Sequence, residues 1–362
     1  MKSLLHRIIE KGNGKRFYRF GNSDGKNWVI PAENMRVALN LYQPSGRNGK
    51  LLKSLLPILH RLPIVRKAIN AETFDCTLQK ELHDLLCSIF KTRNIEFAIF
   101  EGTPSVHKKI TMQLSCGNRI LGYCKISDNK DIMSLFERES EILKTLQGKG
   151  IKNIPQPLYC GCLGNDIYIF VQSTEKTGKS RIIHHWGEEQ ERFLANLNKN
   201  TIQNILFEDS DFYESLMRLQ EHIDWLPANI EKKHIETAIN SLIGKYSGKI
   251  VGYSAFHADF TPWNMFMGEK GLFVFDFEYA ALTYPPGLDK YHFELQTAIF
   301  ERHCTKEAIS NRISNLSARE KELMKMYLLD VISRFTLREG KMVEGEAATP
   351  FDMWGTLLKE CN

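Results

Sequence analysis

No apolar run in the 362 residues approaches the roughly 18 residues that a membrane-spanning helix requires. The first ten residues already include Arg7 and Glu10, so charge interrupts them too early for a signal peptide. We therefore expect the protein to stay in the cytoplasm.

Cysteine pairs with metal-binding spacing are also absent. The eight cysteines include no C-x-x-C pair, and their closest spacing is that of Cys160 and Cys162. A zinc site would need a complementary second pair, so the sequence predicts none. Cysteines scattered among apolar neighbours are instead typical of reduced thiols in a protein core.

A strong net charge is missing as well. The formal charge of +5 is far below that of a nucleic-acid-binding domain, so we predict no nucleic-acid partner, although this charge suits anionic small ligands such as nucleotides. The charge is unevenly distributed. From Asn34 to Ala71 no residue is acidic, whereas several are basic (Arg36, Arg47, Lys50, Lys53, Arg61, Arg66 and Lys67).

We assign residues 1–72 to a basic N-terminal extension. Two short runs have the composition of strands (17–20 and 28–31). Residues 51–61 mix leucines and cations at roughly helical spacing, which has two interpretations. Such a helix could contact an anionic membrane surface or an acidic partner, or it could pack on the main domain with its cations in water. Pro57 and Pro63 interrupt a long interfacial helix and favour packing.

The stretch Phe256–Glu278 carries the densest set of candidate catalytic groups. It contains His257-x-Asp259, then Asn264 five positions later, and finally Asp276. Between the last two lie two apolar runs around a Gly-containing turn, which predict a β-hairpin. The hairpin would place Asn264 at its entrance and Asp276 at its exit, on the same side.

These residue types suit magnesium-dependent phosphoryl transfer. Asp259 would accept or orient the proton of the attacking hydroxyl, while Asn264 and Asp276 would supply hard oxygen ligands to Mg²⁺ at the nucleotide phosphates. The spacing of Asp259 and Asn264 equals that of the Asp and Asn in the protein-kinase catalytic loop. His257 would support the loop by hydrogen bonding. The alternative is that these residues merely cap turns.

A resemblance to a known family adds to this pattern. Residues 257–264 read H-A-D-F-T-P-W-N, which resembles the H-G-D-x-x-P-x-N loop of the aminoglycoside phosphotransferase and choline kinase superfamily. Residues 276–280 and 288–293 are similar to the D-[FW]-E-Y-[AS] and F-D-I-x-N-H-F segments of its choline-kinase-like branch. Ala258 stands where Gly is usual, a change that we expect to be tolerated. The resemblance implies that Asp289 hydrogen-bonds the catalytic loop from behind.

A nucleotide-binding region is predicted before the catalytic stretch. Three strand-like runs (95–100, 110–114 and 120–126) favour the antiparallel sheet of a kinase-like nucleotide lobe. The turn after the first run would cover the phosphates with backbone N–H groups, and we assign Gly102 and Ser105 to it. Because the turn lacks G-x-G-x-x-G, the phosphates would depend more on Lys125, or on Lys108 and Lys109.

Lys125 ends the third run in a context similar to the V-A-I-K lysine, which pairs with nucleotide phosphates. In the helix that follows, Glu139-x-x-x-Leu143-x-x-Leu146 resembles the family's R-E-x-x-x-L-x-x-L. We predict that Glu139 is the ion-pair partner of Lys125, with Glu141 as the alternative. A plain solvated helix face would give neither residue this role.

The resemblance implies an α+β fold of the protein-kinase-like, bilobal kind, with a small antiparallel-sheet N-lobe, a mainly helical C-lobe and the N-terminal extension. We place the nucleotide-binding N-lobe at 73–173. The helical C-lobe, with the catalytic loop and the substrate site, would follow at 174–362. Three stretches have helical periodicity (73–91, 181–249 and 321–358).

We predict an ATP- and Mg²⁺-dependent O-phosphotransferase whose partner is a small hydroxylated acceptor: an amino alcohol, a sugar or glycan precursor, or an aminoglycoside. The alternative is a catalytically weak pseudokinase or nucleotide-binding scaffold associated with cell-envelope glycan or lipid metabolism. The glycine-poor turn favours this alternative, and the intact Asp259, Asn264 and Asp276 oppose it. A protein kinase is disfavoured because no peptide-binding segment ending in A-P-E follows Asp276.

Overall fold

A computed structural model describes residues 3–44, 46–103, 108–164, 166–341 and 345–361, apart from the side chains of residues 312, 346 and 347. The chain folds into two compact units. Unit 1 consists of Met1–Lys144, Asn153–Arg181 and Gly268–Lys270, and unit 2 of Thr145–Lys152, Ile182–Met267 and Gly271–Asn362. The predicted extension at 1–72 is thus part of unit 1, and unit 2 resumes slightly beyond the predicted boundary at residue 173.

An eight-stranded sheet forms the centre of unit 1. Its strands are β1 (Ile9–Gly21), β2 (Asn27–Pro31), β3 (Glu72–Leu78), β4 (Glu96–Phe100), β5 (Ile110–Cys116), β6 (Arg119–Ser127), β7 (Pro157–Leu163) and β8 (Ile167–Ser173). Their order across the sheet is β3-β1-β2-β4-β5-β6-β8-β7. Every neighbouring pair is antiparallel.

The first two strands come from the predicted extension, and they continue the sheet. β2 joins β4 through Trp28 opposite Phe100, and the two short strands predicted from composition lie within β1 and β2. The expectation of one helix over residues 73–91 is wrong in its first half, which forms β3. There Cys76 and Leu78 alternate into the core, and the side chain of Gln79 then caps the next helix.

Six helices accompany this sheet: α1 (Leu4–Ile8), α2 (Met35–Ala38), α3 (Arg47–Leu59), α4 (Pro63–Ala68), α5 (Lys80–Phe90) and α6 (Lys130–Gly148). Leu82 and Leu86 of α5 are buried in a core cluster with residues of β5, β6 and β8. A second cluster collects Leu56 of α3 with Trp28 and Tyr42. The predicted amphipathic helix therefore exists as α3, and one of its faces packs on the part of the sheet that contains β2.

Unit 2 is mainly helical. Its helices are α7 (Glu188–Thr201), α8 (Asp211–Glu221), α9 (Lys232–Tyr246), α10 (Leu288–Gln296), α11 (Lys306–Ser314), α12 (Ala318–Glu339) and α13 (Thr349–Cys361), and a π-helix (Thr297–Glu301) continues α10. Its strands are β9 (Gln203–Leu206), β10 (Ile250–Phe256), β11 (Met265–Gly268), β12 (Gly271–Val274) and β13 (Ala281–Tyr284). β9 interrupts the stretch 181–249 that periodicity predicted as helical, because this strand pairs with β10.

The predicted α+β organisation is confirmed, with an antiparallel sheet in unit 1 and a largely helical unit 2. The predicted hairpin is also present, because β11 and β12 form a two-stranded sheet of their own. Among the described residues, no helix combines the length and the apolar character needed to cross a bilayer.

Candidate active site

The loop that follows β10 carries the predicted catalytic residues. It begins at His257 and ends in a 3₁₀ turn, Pro262–Asn264, where the backbone N–H of Asn264 donates to the carbonyl of Thr261 over 3.0 Å. Ala258 adopts a left-handed conformation with φ +68°. Any residue with a Cβ atom is strained in this conformation, which is easiest for glycine, the residue usual at this position of the family motif.

Asp259 and Asn264 are in direct contact. The side-chain Nδ2 of Asn264 donates to Asp259 Oδ2 over 2.6 Å and to the Asp259 carbonyl over 3.0 Å. Asn264 is buried, whereas the side chain of Asp259 is 30% exposed. With its amide nitrogen engaged twice, Asn264 has its side-chain oxygen left as the atom that can ligate a hard cation.

His257 is completely buried and holds the backbone of the loop. Its Nε2 lies 3.1 Å from the carbonyl of Phe275, which can only accept, so Nε2 carries the proton. Its Nδ1 then accepts the backbone N–H of Asp259 over 3.2 Å. Burial lowers the pKa of His257 to about 4. The neutral ring, with both nitrogens hydrogen-bonded, fixes the backbone of the loop at Asp259.

Asp289, in the first turn of α10, binds the loop from behind. Its two carboxylate oxygens accept the backbone N–H groups of His257 and Ala258 over 3.0 and 3.1 Å. Burial raises the pKa of Asp289 to about 7, although these two donors favour the ionised form. The carboxylate thus fixes the backbone conformation of the two residues before Asp259.

His292 is a site residue that the sequence reasoning did not single out. It lies three positions after Asp289, hence on the same face of α10, and its Nε2 is 3.1 Å from Asp259 Oδ1. Its Nδ1 is 3.3 Å from the hydroxyl of Tyr327 on α12, which in turn is 3.4 Å from Gln296 Nε2. The only available signal was the similarity of residues 288–293 to a family segment.

His292 also influences the charge of Asp259. Burial raises the pKa of Asp259, but the hydrogen bond and charge of His292 outweigh it, and the net pKa is lowered. Burial lowers the pKa of His292 itself. We therefore assign an ionised Asp259 that accepts one hydrogen bond from Nε2 of His292 and one from Asn264.

The hairpin brings a second carboxylate to the loop. The backbone N–H of Phe275 donates to the carbonyl of Asn264 over 3.0 Å, which joins the end of the hairpin to its beginning. Asp276 follows in a left-handed conformation with φ +68°, and its charge raises the pKa of Asp259. Together with Asn264, Asp276 offers the oxygen donors that Mg²⁺ prefers.

In unit 1, Lys125 and Glu139 form a buried ion pair. Lys125 Nζ lies 2.6 Å from Glu139 Oε2, with side chains that are 5% and 0% exposed. Glu141, the alternative partner, is exposed. The ring of Phe136 on α6 packs on Phe170, which is opposite Lys125 in the strand register. A strand lysine paired with a helix glutamate is the arrangement that protein kinases use at nucleotide phosphates. That role for Lys125 and Glu139 remains a prediction.

The predicted phosphate-binding turn is described only in part. Gly102 has φ +83°, and a Cβ atom there would lie 2.3 Å from the carbonyl oxygen of Lys109. This close approach admits only glycine. Ser105, the other residue assigned to this turn, lies outside the described residues.

Comparisons with known proteins were made on sequence and on structure. The sequence matches no protein-family model and no curated protein. Solved structures do resemble the chain, each over 78% of its length. Choline kinase LicA from Streptococcus pneumoniae is similar with 13% identity over 98% of that chain and a TM-score of 0.46.

Two aminoglycoside phosphotransferases are also similar. The complex of a thermostable mutant of APH(4)-Ia with ADP and hygromycin B aligns with 11% identity over 96% of that chain and a TM-score of 0.48. The complex of APH(2")-IIa with streptomycin and ATP aligns with 16% identity over 97% of that chain and a TM-score of 0.40. The three similar structures are named as a choline kinase and two aminoglycoside phosphotransferases.

Proposed function

We propose that the protein is an ATP- and Mg²⁺-dependent O-phosphotransferase that acts on a hydroxyl group of a small molecule. The observation that carries the proposal is that hydrogen bonds hold the carboxylate of Asp259 in place. Its carboxylate is ionised, partly exposed and held from two sides by Asn264 and His292. A structural aspartate would instead be expected to spend its oxygens on backbone groups, as Asp289 does.

In this mechanism Asp259 accepts a hydrogen bond from the acceptor hydroxyl and aims its oxygen at the γ-phosphorus. Phosphoryl transfer has a loose transition state, so positioning matters more than early removal of the proton. Bound Mg²⁺ supplies neutralisation of the phosphate charge. Asn264 and Asp276 would hold it. Lys125 would contact the α- and β-phosphates, and Glu139 would keep the ammonium group of Lys125 oriented.

The acceptor is proposed to be an amino alcohol, a sugar or glycan precursor, or an aminoglycoside. The chain after Asp276 supports a small acceptor over a peptide. Only residues 277–287 separate Asp276 from α10, and β13 within them is paired with β10. This short, sheet-bound segment has no room for the peptide-binding activation segment of protein kinases. Because the proposed donor is ATP, we infer that the reaction takes place in the cytoplasm.

The test is Mg·ATP turnover with a panel of amino alcohols, sugars and aminoglycosides, with Asp259→Asn measured beside the wild type. We expect one acceptor class to raise ADP release, and the substitution to lower kcat by about 10²–10⁴-fold. Nucleotide affinity should change little, because Asp259 would contact the acceptor hydroxyl and not the nucleotide. Binding of Mg·ATP without turnover of any compound would favour the nucleotide-binding scaffold. Failure to bind Mg·ATP would overturn the proposal.

A further inference from the structure

A group of exposed aliphatic side chains lies on α3, on α4 and in the turn between them. Five large side chains are 40–75% exposed there: Leu51 (59%), Leu55 (40%), Ile58 (66%), Leu62 (48%) and Ile64 (75%). We call this group, with the cations around it, the α3–α4 surface. Contiguous exposed apolar side chains of this kind mark interaction sites on soluble domains.

Three of these residues form a stripe along α3. Leu51, Leu55 and Ile58 recur at i, i+4 and i+7, a spacing that places them on one face of an α-helix. Another face of the helix is anchored, because Leu56 is buried in the core cluster that contains Trp28. α3 is therefore a fixed platform that presents an apolar stripe outwards.

The charged residues of α3, of α4 and of the turn between them are all basic. Exposed cations flank it at Arg47 and Lys50 on α3, at Arg61 in the turn and at Lys67 on α4. From Asn34 to Ala71 the sequence contains no acidic residue. An apolar stripe on a segment whose charged residues are all cations is complementary to a surface that is apolar inside and anionic outside.

We propose that the α3–α4 surface docks the protein on an anionic lipid bilayer. The aliphatic stripe enters the boundary between headgroups and acyl chains, and the flanking cations lie at the lipid phosphates. A lipid surface fits better than an acidic protein because the five exposed side chains are all Leu or Ile. Tyr, Trp and Met, the types enriched in protein interfaces, are missing from them. This docking is independent of the proposed phosphotransferase chemistry.

The experiment is flotation of the full chain with vesicles of phosphatidylcholine, with and without added phosphatidylglycerol. Four cations at the surface should make partitioning onto the anionic vesicles at least about tenfold stronger than onto neutral ones. High salt should weaken this partitioning by a similar factor, because it screens exposed charges.

The stripe is tested by the triple substitution Leu51→Ser, Leu55→Ser and Ile58→Ser. All three side chains point away from the core, so the variant should fold normally and yet lose at least about tenfold in vesicle partitioning. A matched control removes three exposed aliphatic side chains of unit 2 (Ile202→Ser, Leu206→Ser and Ile250→Ser). The control should partition like the wild type.

Two outcomes would overturn the proposal. One is equal partitioning onto neutral and anionic vesicles. The other is a triple serine variant that folds, as judged by its thermal unfolding, and still floats like the wild type. Binding to immobilised polyglutamate as tightly as to the anionic vesicles, unaffected by the serine substitutions, would assign the surface to an acidic protein instead.

Discussion

The candidate functional groups of unit 1 and those of unit 2 are held by different means. In unit 1, Lys125 lies within a strand and Glu139 within a helix, so regular backbone hydrogen bonds fix both ends of one ion pair. In unit 2, Asp259 lies in a loop, and side chains of α10 hold it. Substitution of either residue of the ion pair in unit 1 should therefore cause a large loss. Substitutions around Asp259 in unit 2 should each cause a smaller loss, because several side chains share its support.

The largest effect is expected from Lys125→Met, which leaves the buried carboxylate of Glu139 without its lysine. Breaking such a pair destabilises a protein by about 3–5 kcal/mol. The double variant Lys125→Met/Glu139→Leu removes both charges and should recover most of this loss in urea unfolding, while turnover stays abolished in both. Equal free energies of unfolding for the single and the double variant would show that the stability loss does not arise from breaking the ion pair.

A smaller, pH-dependent effect is expected from Asp289→Asn. The pKa of Asp289 is raised from 3.8 to about 7, so the folded state binds the proton more tightly than the unfolded state. This contribution to stability is present below about pH 4 and is lost as the pH rises to about 7, at roughly 1.4 kcal/mol per pH unit. The free energy of unfolding of the wild type should therefore fall relative to that of Asp289→Asn between pH 5 and pH 8. A constant difference would contradict the raised pKa.

A third effect is expected on catalysis alone. His292→Phe removes the hydrogen bond to Asp259 Oδ1 and should lower kcat about tenfold, with unchanged KM for ATP, because the carboxylate is less well aimed. Burial then dominates the pKa of Asp259, so the acid limb of the kcat profile should move to higher pH. Tyr327→Phe is the matched control, because the Tyr327 hydroxyl contacts Nδ1 of His292, the ring nitrogen that faces away from Asp259. This substitution should change kcat less. Equal kcat values for the two variants would remove His292 from the positioning network.

The smallest effect is expected from Ala258→Gly. Glycine removes the left-handed strain of Ala258, which is about 1–2 kcal/mol. It also loses a buried methyl group and gains entropy in the unfolded chain, which cost about 1 kcal/mol each, so the opposing effects largely offset one another. Stability should change by less than about 1 kcal/mol. Ala258→Val at the same φ should cost at least about 2 kcal/mol, because a β-branched side chain is strained there and has no space. Similar thermal unfolding of the two variants would contradict the strain at this loop position.

The contrast between the units also explains which parts were predictable from the sequence. The loop signature around Asp259 is local, and so is the hairpin that leads to Asp276, since turns and alternating runs are encoded over a few residues. The supporting contact from His292 joins residues 33 positions apart and has no periodic signal. β3 was mistaken for helix because Leu78, its last residue, continues the helical spacing of the leucines at 82, 85 and 86 in α5. The alternation of apolar residues at 74, 76 and 78 is the period of a strand.

The strand order of unit 1 has a consequence for how the protein is made. β1 pairs with both β2 and β3, so the first 78 residues contain a complete three-stranded sheet with α3 packed on it. β4, β5 and β6 are synthesised after this part, and they add to its free edge in the order of their synthesis. Strands β1 to β3 thus offer the edge to which the rest of the sheet of unit 1 adds. A chain that starts at residue 73 would lack β2, and β4 would become an edge strand with unpaired backbone groups. This edge could pair with other copies of the chain on the same polysome.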